Sequence, residues 1–327
     1  MKSKIKKVAV LGGAGLIGSH LVELLVSKGH KVVVVDDFSK GKKSNLKKVK
    51  DKIKIRRFDL EKKKNLYNVI KDCNVFFHLA SRAYGIGYSK NNNKKILSHN
   101  EKITNNLISA LLKVKVDYFQ CVSSSCVYDD NGPRKIKEEI EPKGYPEKAN
   151  LGYGWAKRLL EKKITMASKL LNFPLTIVRP FNIYSERYNW LGKNSQAIPM
   201  LVKKIMESNK KLEIWGTGKQ RRNYMHAKDC AEIMYRIFKK KFSTYPVNIG
   251  YENTVSLKEL CLKICKLSNK SPKFFYNTNK PQGRFIKSSN STLLNKITSN
   301  YKPKISLDEG LMLMIKWYKK NFNFKEI

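Results

Sequence analysis

A glycine-rich segment near the amino end of the sequence limits the possible folds more than any other feature. Residues 12–18 read Gly-Gly-Ala-Gly-Leu-Ile-Gly and follow a short apolar run, Val8–Leu11. Apolar residues at helical spacing come next, and a second apolar run, Val32–Val35, follows them. A buried strand, a tight glycine turn, a helix and a second buried strand make a βαβ unit with two parallel strands.

Short apolar runs continue to alternate with helical stretches through Leu175–Val178. We therefore predict an α/β fold, a Rossmann-type doubly wound parallel sheet with helices on both faces. The sequence after Pro180 is richer in loops. We predict that residues 1–180 form the larger domain, that residues 226–250 return to it, and that residues 181–327 form a smaller α/β domain.

The chain carries 67 Lys and Arg residues against 26 Asp and Glu residues, which gives a formal net charge of +41. The lysines are spread along the whole chain in short runs, such as residues 62–64 and 239–241, as on solvated surfaces. A nucleic-acid partner is therefore disfavoured. A positive field would instead speed the arrival of a small anionic substrate.

The six cysteines include no Cys-x-x-Cys pair, and the first residues lack an apolar leader. Both features predict a reducing, cytoplasmic location. No run approaches the roughly 20 apolar residues of a membrane-spanning helix, so we expect no membrane partner. We assign no metal site to this sequence.

The spacing of Gly12, Gly15 and Gly18 is typical of a loop that binds a dinucleotide. Such glycines permit a tight turn and let the pyrophosphate approach backbone N–H groups. Asp36 ends the second strand, where a carboxylate can accept hydrogen bonds from the ribose hydroxyls and repel a 2′-phosphate. The sequence therefore favours NAD over NADP as cofactor.

Tyr153 and Lys157 lie four residues apart, on one face of a predicted helix. A lysine in that position can lower the pKa of the tyrosine, which could then act as a general base toward a substrate hydroxyl. Upstream, Ser123-Ser124-Ser125-Cys126-Val127-Tyr128 follows a predicted strand and offers hydroxyls to the same substrate oxygen. This order of segments predicts a hydride-transfer site.

These motifs together resemble the extended short-chain dehydrogenases/reductases of the NAD-dependent epimerase/dehydratase family, which modify nucleotide sugars. The resemblance covers nearly the full length. Besides the glycine loop, the serine segment and the Tyr/Lys pair, the matching segments are Phe58-Asp59-Leu60, His78-Leu79-Ala80, Arg179 to Tyr184, Trp215 to Gly218 with Arg222, His226 with Asp229, and Val247 to Gly250. The family implies that residues 1–180 bind NAD and that residues 181–327 bind a nucleotide-diphosphate sugar.

The resemblance also implies roles for individual residues. The expected catalytic residues are Ser124, Cys126, Tyr153 and Lys157. The cofactor would contact Gly12, Gly15, Leu16, Ile17, Gly18, Asp36, Asp59, Leu60, Leu79 and Ala80, as well as Tyr153 and Lys157. The substrate would contact Gly85, Gly87, Ser124, Ser125, Asn182, Gln196, Arg222, Arg284 and Lys287, the last two standing in for an arginine that relatives use to bind the diphosphate.

The residues after Ser124 distinguish the possible reactions. The family's 4,6-dehydratases carry an Asp-Glu pair there, whereas this chain has Ser125 and Cys126. A cysteine in this segment is similar to GDP-mannose 3,5-epimerase and GDP-fucose synthase, where it inverts carbons beside a transient C4 ketone. Those enzymes place a lysine or histidine where this chain has Gln196, an amide that cannot exchange protons at neutral pH. Lys193 could substitute for it.

The leading prediction is thus a nucleotide-sugar epimerase that oxidises its substrate transiently at C4, with Cys126 either an acid/base or a buried packing thiol. A simple 4-epimerase, a 4-dehydrogenase or 4-reductase, and a non-catalytic RNA-binding relative remain as alternatives. The family also implies a homodimer paired through helices at residues 100–112 and 153–170. The first helix would contribute apolar residues to that interface, namely Ile103, Leu107, Ile108, Leu111 and Leu112.

Overall fold

The computed structural model describes residues 6–188, 190, 195–208, 210–242, 246–280 and 283–322. The strands of this part of the chain are β1 (Lys7–Leu11), β2 (Lys31–Asp36), β3 (Ile53–Arg57), β4 (Val75–His78), β5 (Tyr118–Val122), β6 (Lys135–Ile136), β7 (Leu175–Pro180), β8 (Ile183–Tyr184), β9 (Lys211–Trp215), β10 (Arg221–Arg222), β11 (Met225–His226), β12 (Val247–Ile249), β13 (Val255–Ser256), β14 (Lys273–Asn277) and β15 (Ile286–Ser289). The α-helices are α1 (Gly18–Ser27), α2 (Leu66–Ile70), α3 (Ile86–Leu111), α4 (Leu151–Leu171), α5 (Ala197–Glu207), α6 (Ala227–Lys240), α7 (Leu257–Ser268), α8 (Thr292–Thr298) and α9 (Leu307–Asn321).

Seven parallel strands form the main sheet, in the order β12-β7-β5-β4-β1-β2-β3. Residues 8–11 and 32–35 are buried, as expected for central strands covered on both faces. The chain moves outward in both directions from β1, so a crevice opens beyond the carboxyl ends of β1 and β4. This architecture confirms the predicted fold class.

Helices cover both faces of this sheet. On one face, α1 and α6 supply buried residues such as Leu21, Leu25 and Ile237. On the other face, α3 and α4 pack against each other and against the sheet through residues such as Leu107 and Leu160. Among the described helices, none is both long and apolar enough to cross a membrane.

A second group of elements surrounds its own apolar core. It contains α5, α7 and α9. The ring of Trp190, which precedes α5, stacks on Trp317 of α9 with centroids 5.1 Å apart. Two further sheets accompany it, one of four strands in the order β13-β10-β15-β6 and one formed by β14 and β9. The domain division at residue 180 stays a prediction. The observed pairings place β12 at the edge of the main sheet and β6 in the four-stranded sheet.

The burial of residues on α3 shows that part of the predicted dimer interface is wrong. Ile103, Leu107 and Leu111 are buried in the core of their own chain, because this side of α3 covers the sheet. Leu112, at the end of α3, is 59% exposed, and Leu170 on α4 is 79% exposed. The homodimer itself remains a prediction, now with these exposed residues as its apolar contacts.

Candidate active site

The glycine loop connects β1 to α1 at the carboxyl edge of the main sheet. Gly12 has a φ of +81°, and its N–H donates to the carbonyl of Val35 at 2.8 Å. A Cβ at Gly18 would lie 2.2 Å from the carbonyl oxygen of Gly12, and one at Gly12 would lie 2.7 Å from the backbone nitrogen of Ala80. The loop therefore packs closely on α1 and β4 only because these positions are glycine.

Asp36 ends β2 beside this loop and is buried. Its two carboxylate oxygens accept hydrogen bonds from the backbone N–H groups of Ala14 and Phe38, each at 2.9 Å. Burial raises the pKa of Asp36, and the two backbone hydrogen bonds oppose that rise. The carboxylate is thus fixed at the wall of the cavity, and its remaining lone pairs can accept from ribose hydroxyls.

One cavity of about 840 Å³ extends from the glycine loop to the second group of elements. It brings together nearly every residue predicted from the sequence. The lining residues include Gly12, Gly15, Leu16, Ile17, Gly18, Asp36, Asp59, Leu60, Leu79, Ala80, Gly85, Gly87, Ser124, Ser125, Cys126, Tyr153, Lys157, Asn182, Gln196, Arg222 and Lys287. A helix amino terminus, a glycine turn and a buried carboxylate at one end of this cavity fit a dinucleotide such as NAD.

Tyr153 and Lys157 lie one turn apart on α4. The Lys157 Nζ atom lies 5.6 Å from the centre of the Tyr153 ring and donates to the carbonyl of Val122 at 2.8 Å. Burial lowers the pKa of Lys157 to about 8. Burial raises the pKa of Tyr153, and hydrogen bonds with Ser81 and Ser124 oppose the rise. The expectation that the pKa of Tyr153 is lowered is therefore wrong in this structure, because burial outweighs the favourable contacts.

Cys126 lies in the turn after β5, where its backbone N–H donates to the Ser124 hydroxyl at 3.2 Å. Its Sγ atom is 3.9 Å from the Nζ atom of Lys287, and this lysine donates to Glu147 at 2.6 Å. Sequence reasoning missed Glu147, because an acidic residue in a charged loop resembles any surface carboxylate. The structure buries it in the wall of the cavity.

The substrate end of the cavity is built by close backbone approach. A Cβ at Gly85 would lie 2.3 Å from the carbonyl oxygen of Ser195, so this loop reaches the segment of Gln196 only with glycine there. The amide oxygen of Gln196 accepts a hydrogen bond from the Tyr188 hydroxyl at 2.8 Å. Asn182 has a φ of +41°.

Arg284 is the one described candidate that does not line the cavity. Its guanidinium donates to the backbone carbonyls of Asp129, Gly132 and Pro133. The predicted contact of Arg284 with the substrate diphosphate stays a prediction that this geometry disfavours, because three of the five N–H donors of the guanidinium already bind backbone carbonyls. Arg222 lines the cavity and donates within its own strand to the Arg221 carbonyl at 2.8 Å. Lys193 lies outside the described residues.

Arg82, to which the sequence assigned no role of its own, lies in the loop after β4 and contacts two neighbouring loops at the end of the cavity that contains Asp36. It donates to Asp37 at 2.8 Å, after β2, and to Glu61 at 2.9 Å. In parallel, the Lys40 Nζ atom lies 3.8 Å from the centre of the Tyr84 ring. The Arg82–Asp37 and Lys40–Tyr84 contacts both connect the loop after β2 with the loop after β4. Together they hold the two walls of this part of the cavity.

Comparisons with known proteins identify the family of this chain. A family model described as the NAD dependent epimerase/dehydratase family matches residues 8–250. The UDP-N-acetyl-alpha-D-glucosaminuronate decarboxylase of Bacillus cytotoxicus is 28% identical, over 96% of this chain and 98% of that protein. The GDP-mannose 3,5-epimerase of Arabidopsis thaliana is 26% identical, over 96% of this chain and 82% of that protein.

A solved structure of UDP-glucose 4-epimerase from Thermotoga maritima matches with a TM-score of 0.85 and 22% identity, over 97% of this chain and 100% of that chain. The UDP-glucuronic acid 4-epimerase of Bacillus cereus, in complex with UDP-glucuronic acid and NAD, matches with a TM-score of 0.83 and 24% identity, over 96% and 99%. These likenesses show the same fold. The family match confirms the predicted cofactor, NAD, and the prediction of an enzyme. The chain is an enzyme that belongs to the NAD-dependent epimerase/dehydratase family.

Proposed function

We propose that this enzyme is a nucleotide-sugar epimerase that oxidises its substrate transiently at C4. The observation that carries the proposal is the shared cavity, in which Ser124, Tyr153 and Lys157 lie beside the thiol of Cys126 and connect to the glycine loop. The glycine loop and Asp36 would hold NAD, which would supply a reversible hydride acceptor for C4 of the sugar. The resemblance to GDP-mannose 3,5-epimerase supports the choice of reaction but not a particular sugar or nucleotide.

In this proposal, Tyr153 takes the proton of the C4 hydroxyl, while Ser124 holds the same oxygen by a hydrogen bond. Hydrogen bonds with Ser81 and Ser124 offset part of the cost that burial imposes on the ionised tyrosine. Lys157 is fixed by its hydrogen bond to the Val122 carbonyl, and its remaining N–H groups would bind the cofactor ribose. Arg222 would bind the substrate diphosphate.

The residues next to Ser124 influence the chemistry after oxidation at C4. Ser125 and Cys126 supply no carboxylate pair, so we do not expect the elimination of water that a 4,6-dehydratase performs. Burial raises the pKa of Cys126 to about 11, so the group is a thiol near neutral pH and can donate a proton. A thiol beside a C4 ketone could supply one of the two proton transfers that epimerisation at a neighbouring carbon requires.

We also propose a homodimer in the reducing cytoplasm. The six cysteines are all free, which supports a reducing compartment. The ligand of the second part of the cavity would be a nucleotide-diphosphate sugar. The intact Ser124, Tyr153 and Lys157 constellation disfavours the alternative of a non-catalytic RNA-binding protein.

The test is incubation with GDP-, UDP-, CDP- and dTDP-sugars, including uronic acids, in D₂O, with products read by NMR and cofactor by absorbance. We expect an epimeric product without net accumulation of NADH, and loss of turnover in Tyr153→Phe. Stoichiometric NADH with a 4-keto product would instead assign a dehydrogenase. Release of CO₂ from a uronic acid would assign a decarboxylase, the activity in the name of the Bacillus cytotoxicus relative.

A further inference from the structure

A buried lysine, carboxylate and thiol meet in the cavity beside the Ser124, Tyr153 and Lys157 constellation. The Lys287 side chain lies 2.6 Å from a carboxylate oxygen of Glu147 and 3.9 Å from the Sγ atom of Cys126. Lys287 is 4% exposed and Glu147 is 6% exposed. An ion pair removed from water to this degree is costly unless its partners are fixed, so a use for it must be sought in the site it lines.

Three separate segments hold this cluster. Lys287 lies on β15, which pairs with β10 and β6. Glu147 precedes α4, and its backbone N–H donates to the carbonyl of Cys126 at 3.2 Å. A Cβ at Gly154 would lie 2.7 Å from the same carbonyl oxygen, so the turn of Cys126 packs directly on α4. The three side chains are therefore held by backbone contacts and not only by one another.

We propose that Lys287 and Glu147 are positioning residues that act through Cys126, and that the three together let the thiol release and recover a proton during turnover. This proposal rests on the proposed epimerase function. It gives Lys287 a role other than the diphosphate contact predicted from the sequence.

The proton balance of the step is simple. Once C4 is a ketone, a neighbouring carbon can exist as an enolate, and the thiol of Cys126 protonates it: the S–H bond breaks and a C–H bond forms. The thiolate then takes a proton from the ammonium group of Lys287, which becomes a neutral amine. Water restores the ammonium group. The same proton transfers in reverse remove a proton from the carbon. No oxidant or reductant is needed in either direction.

The charges around the thiol act in opposite directions. Burial is the largest influence and raises the pKa of Cys126, Lys287 lowers it, and Glu147 raises it. From α4, Tyr153 and Lys157 also lie close enough to interact with the thiol electrostatically. Replacing Lys287 and replacing Glu147 should therefore shift the pKa of Cys126 in opposite directions. The loss of a purely structural contact would not give opposite shifts.

The experiment measures alkylation of Cys126 by iodoacetamide between pH 7 and 10, with the modified residue quantified by mass spectrometry. Because the thiolate is the reactive form, the rate at fixed pH follows its population. We expect Lys287→Met to slow alkylation on the order of tenfold at pH 8, and Glu147→Gln to speed it several-fold. The double variant removes both charges and should react at close to the wild-type rate.

A matched control is Lys135→Met, which breaks the Lys135–Glu252 ion pair. That pair has the same 2.6 Å separation but is about half exposed, so its loss should leave the alkylation of Cys126 unchanged. Equal rates in all variants, or changes of the same sign in Lys287→Met and Glu147→Gln, would overturn the proposal. Should one single variant fail to fold, the other still tests the proposal, because each is expected to change the alkylation rate of Cys126 in its own direction relative to the wild type.

The alkylation assay needs no substrate, so it can fail independently of the proposed function. Opposite shifts in the two single variants, together with slower deuterium uptake by the sugar in Lys287→Met, support the full proposal. Deuterium uptake that is the same in Lys287→Met and in wild type would overturn the relay while leaving an epimerase in place. Absence of any sugar turnover in the wild type would overturn the proposed function, whatever the thiol does.

Discussion

Replacing Glu161 by glutamine should destabilise this protein severely. Glu161 lies on α4 and receives two hydrogen bonds from Arg179 on β7, at 2.9 and 2.5 Å. The Arg179 side chain is fully buried, and it also donates to the Tyr128 hydroxyl at 3.0 Å and to the Glu139 carbonyl at 2.6 Å. The network therefore fixes the helix of Tyr153 against the end of the serine segment.

The size of the destabilisation by Glu161→Gln is set by the burial of the ion pair. Glutamine keeps one acceptor oxygen but removes the charge, so the guanidinium stays buried without its counter-ion. Breaking one partner of such a pair costs about 3–5 kcal/mol of the free energy of unfolding. With a urea m-value of about 3 kcal/mol/M, the midpoint of unfolding should fall by roughly 1–1.7 M. Replacing both residues by apolar ones of similar volume should recover most of that loss.

The assay is urea unfolding followed by tryptophan fluorescence, with Glu101→Gln as the matched control. The Lys163–Glu101 pair joins α3 and α4 at 3.3 Å, but both side chains are about one-third exposed. Its loss should cost at most about 1 kcal/mol. A cost for Glu161→Gln as small as that of the control would refute the claim that burial makes the Arg179 pair indispensable.

Four further outcomes are expected. Tyr153→Phe should reduce turnover at least about 100-fold without releasing NAD, measured by steady-state kinetics and bound-cofactor absorbance. Asp36→Ala should weaken NAD binding in a fluorescence titration, and preferential NADP binding by the wild type would contradict the role of this carboxylate. Burial lowers the pKa of His78 to about 3, so its contribution to stability is present above pH 6.5 and is lost as the pH falls toward 3. In urea unfolding, His78→Gln should therefore remove about 2 kcal/mol of the loss in the free energy of unfolding between pH 7 and pH 5. Leu170→Lys should shift the predicted dimer toward monomer in sedimentation, whereas a wild-type monomer would rule the dimer out.

The parts of the site that lie on consecutive elements could be predicted from the sequence. The glycine turn and Asp36 belong to one βαβ unit, and Tyr153 and Lys157 lie one helical turn apart. In each case the distance along the chain fixes the distance in space, because a strand, a turn or a helix connects the residues directly. The carboxyl ends of parallel strands then bring these pieces to one edge of the sheet.

Contacts between distant segments could not be predicted in this way. Glu147 and Lys287 are 140 residues apart, and their meeting depends on how β15 packs against the loop before α4. Arg284 shows the converse, since a guanidinium can donate to backbone carbonyls as well as to phosphates, and the tertiary structure decides which partners it meets. The apolar pattern of α3 likewise indicated a buried face but not whether its own sheet or a second subunit covers Leu107.

The two sides of the substrate cavity differ in their ability to exchange protons. Gln196 is an amide, and it is hydrogen-bonded to the Tyr188 hydroxyl, whose pKa is raised by burial. Neither group readily gives a proton to an enolate near neutral pH. Cys126, by contrast, has an ammonium group beside it that can restore its proton. Proton exchange on the Cys126 side alone can label one carbon beside the C4 ketone, but inversion of that carbon would require a second ionisable group on the opposite face. The arrangement of these residues therefore favours proton exchange at a single carbon, without the double inversion of GDP-mannose 3,5-epimerase.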